Sequence, residues 1–121
     1  MDKFISQRIK SFGYAFKGIA SFIGKEPNAW IHCAAIVMVT FLGGYFDITN
    51  AEWCIVLLCF AVVLAAEAFN TAIERLVNLV SPVHHPIAGD VKDIAAGAVL
   101  ICAIGAAIIG CIVFIPYFLE I

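Results

Sequence analysis

From its first residues the chain places apolar side chains at helical spacing. Phe4, Ile5, Ile9, Phe12, Phe16, Ile19 and Ile23 recur at three and four residues, while Ser6, Gln7, Lys10, Ser11, Lys17 and Ser21 fall elsewhere. The pattern predicts an amphipathic helix over residues 1–25 whose basic polar face suits it to lie in a membrane interface. Lys3, Arg8, Lys10, Lys17 and Lys25 interrupt it throughout, so it lacks the unbroken apolar core of a secretory signal.

Beyond residue 28 the periodicity gives way to apolar runs. Residues 29–46 hold only His32 and Thr40 as clearly polar members. Residues 53–66 carry no charge, and a helical pattern continues through EAFNTAIERLVNLV to Val80. Residues 94–119 include glycines but no charge, with Pro116 near the end. A membrane-spanning helix takes about 20 mostly apolar residues. The first and third runs meet this outright, and 53–80 meets it if the turns from Glu67 onward emerge into the headgroup layer. The expected fold is all-α: one surface helix and three membrane helices in a single domain spanning residues 1–121.

Composition strengthens this reading. Of 121 residues 64% are hydrophobic and 13% charged, with a mean hydropathy of +1.04, too apolar for a small soluble domain to cover its own surface. The net charge of −2 favours no nucleic acid partner. Cys33, Cys54, Cys59, Cys102 and Cys111 all sit in apolar runs without CxxC or paired Cys/His spacing, and read as small hydrophobic filler. The seven Lys and Arg lie before the first span or, as Arg75 and Lys92, in the segment from Glu67 to Asp93. The positive-inside rule then puts the N-terminus in the cytosol and the C-terminus outside.

Against this background the polar residues stand out. Glu67, Asn70, Glu74 and Asn78 are separated by 3, 4 and 4 residues and share one helical stripe. Glu67 and Glu74 are about 10 Å apart along the axis, too far to share a proton but well placed for two roles, such as base and metal ligand. A solvated acidic helix end is the plain alternative, yet carboxylates near membrane depth are costly and by default functional. The segment SPVHHPIAGDVKD reads as a loop bringing His84, His85, Asp90, Lys92 and Asp93 to the same end, with Asp93 a possible N-cap of the third span. Glu26 precedes Pro27 just before the first span. Three carboxylates (Glu26, Glu67 and Glu74) with a lysine and no Cys or His pairing suggest Mg²⁺ and phosphate chemistry at the cytosolic boundary. GIASFIGK (18–25) is not a P-loop: it has one residue too many between its glycines and Glu26 where Ser or Thr is needed.

GYAFKG (13–18), KEPN (25–28), EAFNTAIE (67–74) and KDIAAGAVL (92–100) together resemble the bacterial diacylglycerol kinase family, which includes the undecaprenol kinases. The resemblance runs through nearly the whole chain. It implies a homotrimeric kinase of the bacterial inner membrane that moves the γ-phosphoryl of MgATP to a lipid alcohol. By matched position, Glu67 would be the general base and Asn70 would orient it or the metal ligands. Glu26 and Glu74 would hold Mg²⁺ with the ATP phosphates, and Lys92 and Asp93 would contact the nucleotide. Tyr14, Val83, His84 and His85 would border the nucleotide, and Ala96 the lipid, which Glu67 also meets.

Two positions depart from the family pattern. Asn78 stands where an aspartate is usual, and Trp30 where an arginine is common. His32 occupies a position that holds histidine in the undecaprenol branch and glutamate in the diacylglycerol-specific one, which favours undecaprenol as acceptor over diacylglycerol. A reading from another class, a small ion-coupled transporter built on Glu67, leaves Glu26, Lys92 and Asp93 without a purpose.

Overall fold

The computed structural model describes residues 2–121, and these form four helices: α1 (Asp2–Lys25), α2 (Pro27–Phe46), α3 (Asn50–Val80) and α4 (Pro86–Leu119). The last three are each long and apolar enough to cross a membrane. Glu26 is extended (φ −111°, ψ 112°), as a residue before proline prefers, and Pro27 opens α2 where its missing N–H costs nothing. The α1–α2 joint is tied by the Trp30 indole N–H, which donates to the Ile23 carbonyl at 2.6 Å. On α1 only Phe22 is buried, and Phe4, Ile9, Phe12 and Phe16 are each more than 60% exposed. The apolar face of α1 therefore has no partner among the described residues.

At the far end α2 stops at Asp47, whose left-handed backbone (φ 52°) lets the Ile48 N–H reach back to the Gly43 carbonyl at 3.2 Å. Ile48 then buries itself among Val56, Val113 and Phe114, closing the small core where three helices meet. Thr49 and Glu52 form a reciprocal capping box that starts α3. The Tyr117 hydroxyl donates to Glu52 at 2.5 Å, which locks α4 against the start of α3. Gly43 is required here: a Cβ on it would lie 2.5 Å from the Trp53 ring.

Between α3 and α4 the structure differs from the sequence expectation. The loop is only 81–85, and α4 begins at Pro86, eight residues before the uncharged run. The cap is His85, whose Nδ1 accepts from the Ile87 N–H at 3.1 Å, and not Asp93. Pro86 sits at the first helical position, where proline starts a helix instead of breaking one, so Gly89, Asp90, Lys92 and Asp93 all become helical. With 34 residues, α4 is about 51 Å long, well beyond the ~30 Å of a hydrocarbon core. Its first two turns, residues 86–93, precede the uncharged run and lie beside the end of α3.

Candidate functional site

The α3 stripe turns into the chain. Glu67 (5% exposed), Asn70 (9%) and Thr71 (5%) are the buried polar residues of the molecule among those described. Glu74 is half-buried and Asn78 exposed, so the stripe runs from the interior to water along one helix face. Other helices meet it at three levels. Deepest, His32 Nε2 on α2 lies 3.0 Å from Glu67 Oε1. One to two turns further out, Arg75 reaches Glu26 (3.7 Å, Nη2 to Oε1) and donates from Nη1 to Ser21 of α1 at 3.2 Å. Outermost, the Lys92 ammonium on α4 donates to Asn78 Oδ1 at 2.5 Å.

This staircase changes the expected arrangement. His32 lies six positions after Glu26, the N-cap of α2, a rise of about 9 Å, and Glu67 to Glu74 is about 10 Å on α3. Glu26 and Glu74 thus share one level, Glu67 lies deeper by nearly two turns, and Lys92 is a turn further out with Asn78. The four lie at three heights along one end of the bundle, with the separation of Glu67 from Glu74 that the helical spacing implies. Among the described residues no three Asp, Glu, His or Cys side chains lie together as a metal-binding group. The cost of placing Glu67 so deep is offset by its hydrogen bond to His32.

Asn70 lies between the two carboxylate levels, and its buried Oδ1 has no hydrogen-bond partner among the described residues. A buried acceptor without a donor or cation is costly.

Two hollows adjoin the staircase. A polar one of about 160 Å³ beside the 81–85 loop is lined by Asn78, Ser81, Val83, His84, His85 and Lys92 among others. The loop residues and the lysine singled out in the sequence therefore meet in one place. An apolar cleft of about 270 Å³ begins at His32 and runs between α2, α3 and α4 past Ile36, Val63, Phe60 and Ala106 to Gly110. Asp93 and Ala96 are exposed on α4, and Tyr14 is 72% exposed on α1.

Sequence reasoning did not assign Arg75 to this region, nor pair His32 with Glu67. The available signal for His32 was that it and Thr40 are the only clearly polar residues of their span, and a titratable group at that depth calls for a partner. Arg75 offered none, because a lysine or arginine at a helix end is ordinarily solvated.

A profile of the family described as prokaryotic diacylglycerol kinase matches residues 13–114, most of the chain and every element of the staircase. The chain belongs to this family. The kinase is 38% identical over 112 residues to the undecaprenol kinase of Bacillus subtilis, covering 93% of this chain and 91% of that one. It is 33% identical to the diacylglycerol kinase of Synechocystis over 92% of this chain and 64% of that one. It is 28% identical to the diacylglycerol kinase of Escherichia coli over 91% of this chain and 90% of that one. The protein is thus a lipid kinase, which implies ATP as co-substrate, and the transporter reading is set aside.

Proposed function

We propose that the kinase phosphorylates the single hydroxyl of a long-chain polyprenol, undecaprenol foremost, using MgATP at the cytosolic face of a bacterial inner membrane. The observation that carries the acceptor class is the cleft that starts at His32. Its one strongly polar lining residue is His32, which Glu67 already engages. A hydrocarbon chain ending in a hydroxyl fits that lining. The ester carbonyls of diacylglycerol would enter the same space without a donor, at a cost of roughly 1–3 kcal/mol for each group left unsatisfied. The 38% identity to a protein named undecaprenol kinase points the same way. Two relatives named diacylglycerol kinase keep that lipid as the second candidate.

In this reading the hydroxyl meets Glu67, which takes its proton as the oxygen attacks the γ-phosphorus. The bond from that phosphorus to the bridging oxygen of ADP breaks, leaving ADP and a phosphorylated lipid. The rise of about 10 Å between Glu67 and Glu74 leaves room for the γ-phosphoryl group between them. Glu26 and Glu74 offer carboxylate oxygens on the outer side of Asn70, whose unsatisfied Oδ1 lies about one turn deeper on α3 than Glu74. This all-oxygen set suits Mg²⁺, which takes one or two carboxylates and completes its shell with phosphates and water. Bound there, the ion would neutralise charge developing on the phosphates. Asn70 orients the base or the metal ligands. Lys92, with Asp93 beside it, contacts the phosphates, and Val83, His84 and His85 border the nucleotide in the polar hollow. Ala96 faces lipid.

Tyr14 also belongs to the nucleotide site in this proposal. Its exposure on α1, and the open space around Gly97, Gly105 and Gly110 of α4, suit a homotrimer in which neighbouring copies complete one another's sites. The N-terminus is cytosolic and the C-terminus outside, with α1 lying in the interface.

The test is phosphate transfer from labelled ATP by purified protein in lipid, offered undecaprenol, diacylglycerol and ceramide at millimolar Mg²⁺. The expected result is a kcat/KM for undecaprenol at least about tenfold above that for diacylglycerol, or about 1.4 kcal/mol. A preference for diacylglycerol would overturn the acceptor class. No transfer to any alcohol would overturn the whole proposal.

A further inference from the structure

The geometry points to His32 as the positioning residue of the catalytic base: its imidazole holds one oxygen of Glu67 and leaves the other for the lipid hydroxyl. This inference rests on Glu67 being the base.

The contact is specific in its chemistry. In the ionised form that acts as a base, the Glu67 carboxylate only accepts hydrogen bonds, so in that state the 3.0 Å contact to Oε1 has Nε2 carrying the proton and donating. His32 is the one hydrogen-bond partner the carboxylate has among the described residues. Glu67 has a side chain 6% exposed, on a helix facing a cleft of otherwise apolar side chains. A single hydrogen bond between α2 and α3 therefore decides which way the carboxyl plane faces. His32 itself is fixed less by packing than by this bond, since its side chain is 23% exposed.

Location adds a second argument. His32 belongs both to the Glu67 pair and to the lining of the apolar cleft. It stands where the hydrocarbon path ends and the polar staircase begins. A hydroxyl arriving along the cleft meets the imidazole and the carboxylate together. Without the imidazole, Glu67 would be free to rotate about its side-chain bonds toward Asn70 or the cytosolic level, away from the cleft. Misplacement of a reacting group by about 1 Å can cost on the order of 100-fold in rate.

A positioning role predicts a loss in turnover and not in nucleotide binding, because Glu26, Glu74 and Lys92 lie about two to three turns away on the outer levels. The experiment compares wild type, His32→Leu, His32→Asn, His32→Gln and Glu67→Gln in lipid with saturating undecaprenol and with diacylglycerol. Leucine keeps the cleft filled and apolar but cannot donate, whereas glutamine and asparagine retain an N–H donor on a shorter or differently shaped arm. His32→Leu should lower kcat 10- to 100-fold while KM for ATP changes less than threefold. At least one of the two amide variants should recover a fivefold or greater part of that loss, and a cooperative thermal unfolding transition in every variant shows that the loss is not a loss of fold.

A His32→Leu kcat within threefold of wild type would overturn the inference, as would a loss expressed in the KM for ATP. So would amide variants no better than leucine, which would show that the hydrogen bond is not what matters. If Glu67→Gln is inactive while His32→Leu is not, His32 is dispensable and the base assignment stands. If Glu67→Gln itself retains full activity, the base assignment fails and this inference fails with it.

Discussion

Replacing Glu67 by glutamine tests the centre of the proposed chemistry with little disturbance to the fold. The two side chains have nearly the same volume, so no cavity opens around a residue that is 5% exposed. Glutamine keeps a carbonyl oxygen that can accept from His32 Nε2, so the contact at 3.0 Å survives. What disappears is the capacity to take a proton. General-base catalysis contributes about 10²- to 10⁴-fold, equivalent to roughly 2.7–5.5 kcal/mol of barrier, and kcat should fall by that factor. Nucleotide binding should be preserved, because Glu74 lies about 10 Å along the helix and Lys92 further still. Initial rates of phosphate transfer at saturating lipid give kcat, and calorimetric titration of the same sample with MgATP gives its affinity. A variant within threefold of wild-type kcat would refute the role of Glu67. Lost MgATP binding would place Glu67 in the nucleotide site instead.

Other perturbations address the outer levels and the fold. Glu74→Gln and Glu26→Gln should each raise the Mg²⁺ concentration for half-maximal activity several-fold, read from activity against Mg²⁺ at fixed ATP; unchanged metal dependence would remove them as ligands. Asn78→Asp should raise the KM for ATP a few-fold, because the Lys92 ammonium already bonded to position 78 would be held there by a full negative charge. An unchanged or lower KM would mean that Lys92 does not serve the nucleotide from that position. Gly43→Ala should lower thermal stability by roughly 1–3 kcal/mol, since the new methyl would meet the rigid Trp53 ring at 2.5 Å. An unaltered unfolding midpoint would show that the α2–α3 contact relaxes freely.

The helical architecture was legible because its causes are written along the chain. Spacing of Phe4 to Ile23 makes α1 amphipathic whatever it packs against, and an uncharged run such as 94–119 can only be helical where water is absent. The stripe of Glu67, Asn70 and Glu74 was legible for the same reason: within one helix, sequence spacing is geometry. The start of α4 was not. Pro86 and Gly89 are loop signals on average, and only the His85 side chain folding onto the Ile87 N–H turns them into a helical first turn.

Depth and partnership likewise belonged to the tertiary structure alone. Sequence placed Glu67 at the cytosolic end of an apolar run, together with Glu26 and Lys92. The fold puts it nearly two turns below Glu26, against His32, and sends Lys92 outward to Asn78. The reason is that each such pairing joins residues 14 to 49 positions apart on different helices. Which faces meet, and at what height, follows from how α2, α3 and α4 are capped and rotated against one another. The Gly43–Trp53 approach, the Ile48 core and the Tyr117–Glu52 bond set that register from the opposite end of the molecule. Periodicity within a helix says which residues share a face, but only packing between helices decides what that face meets.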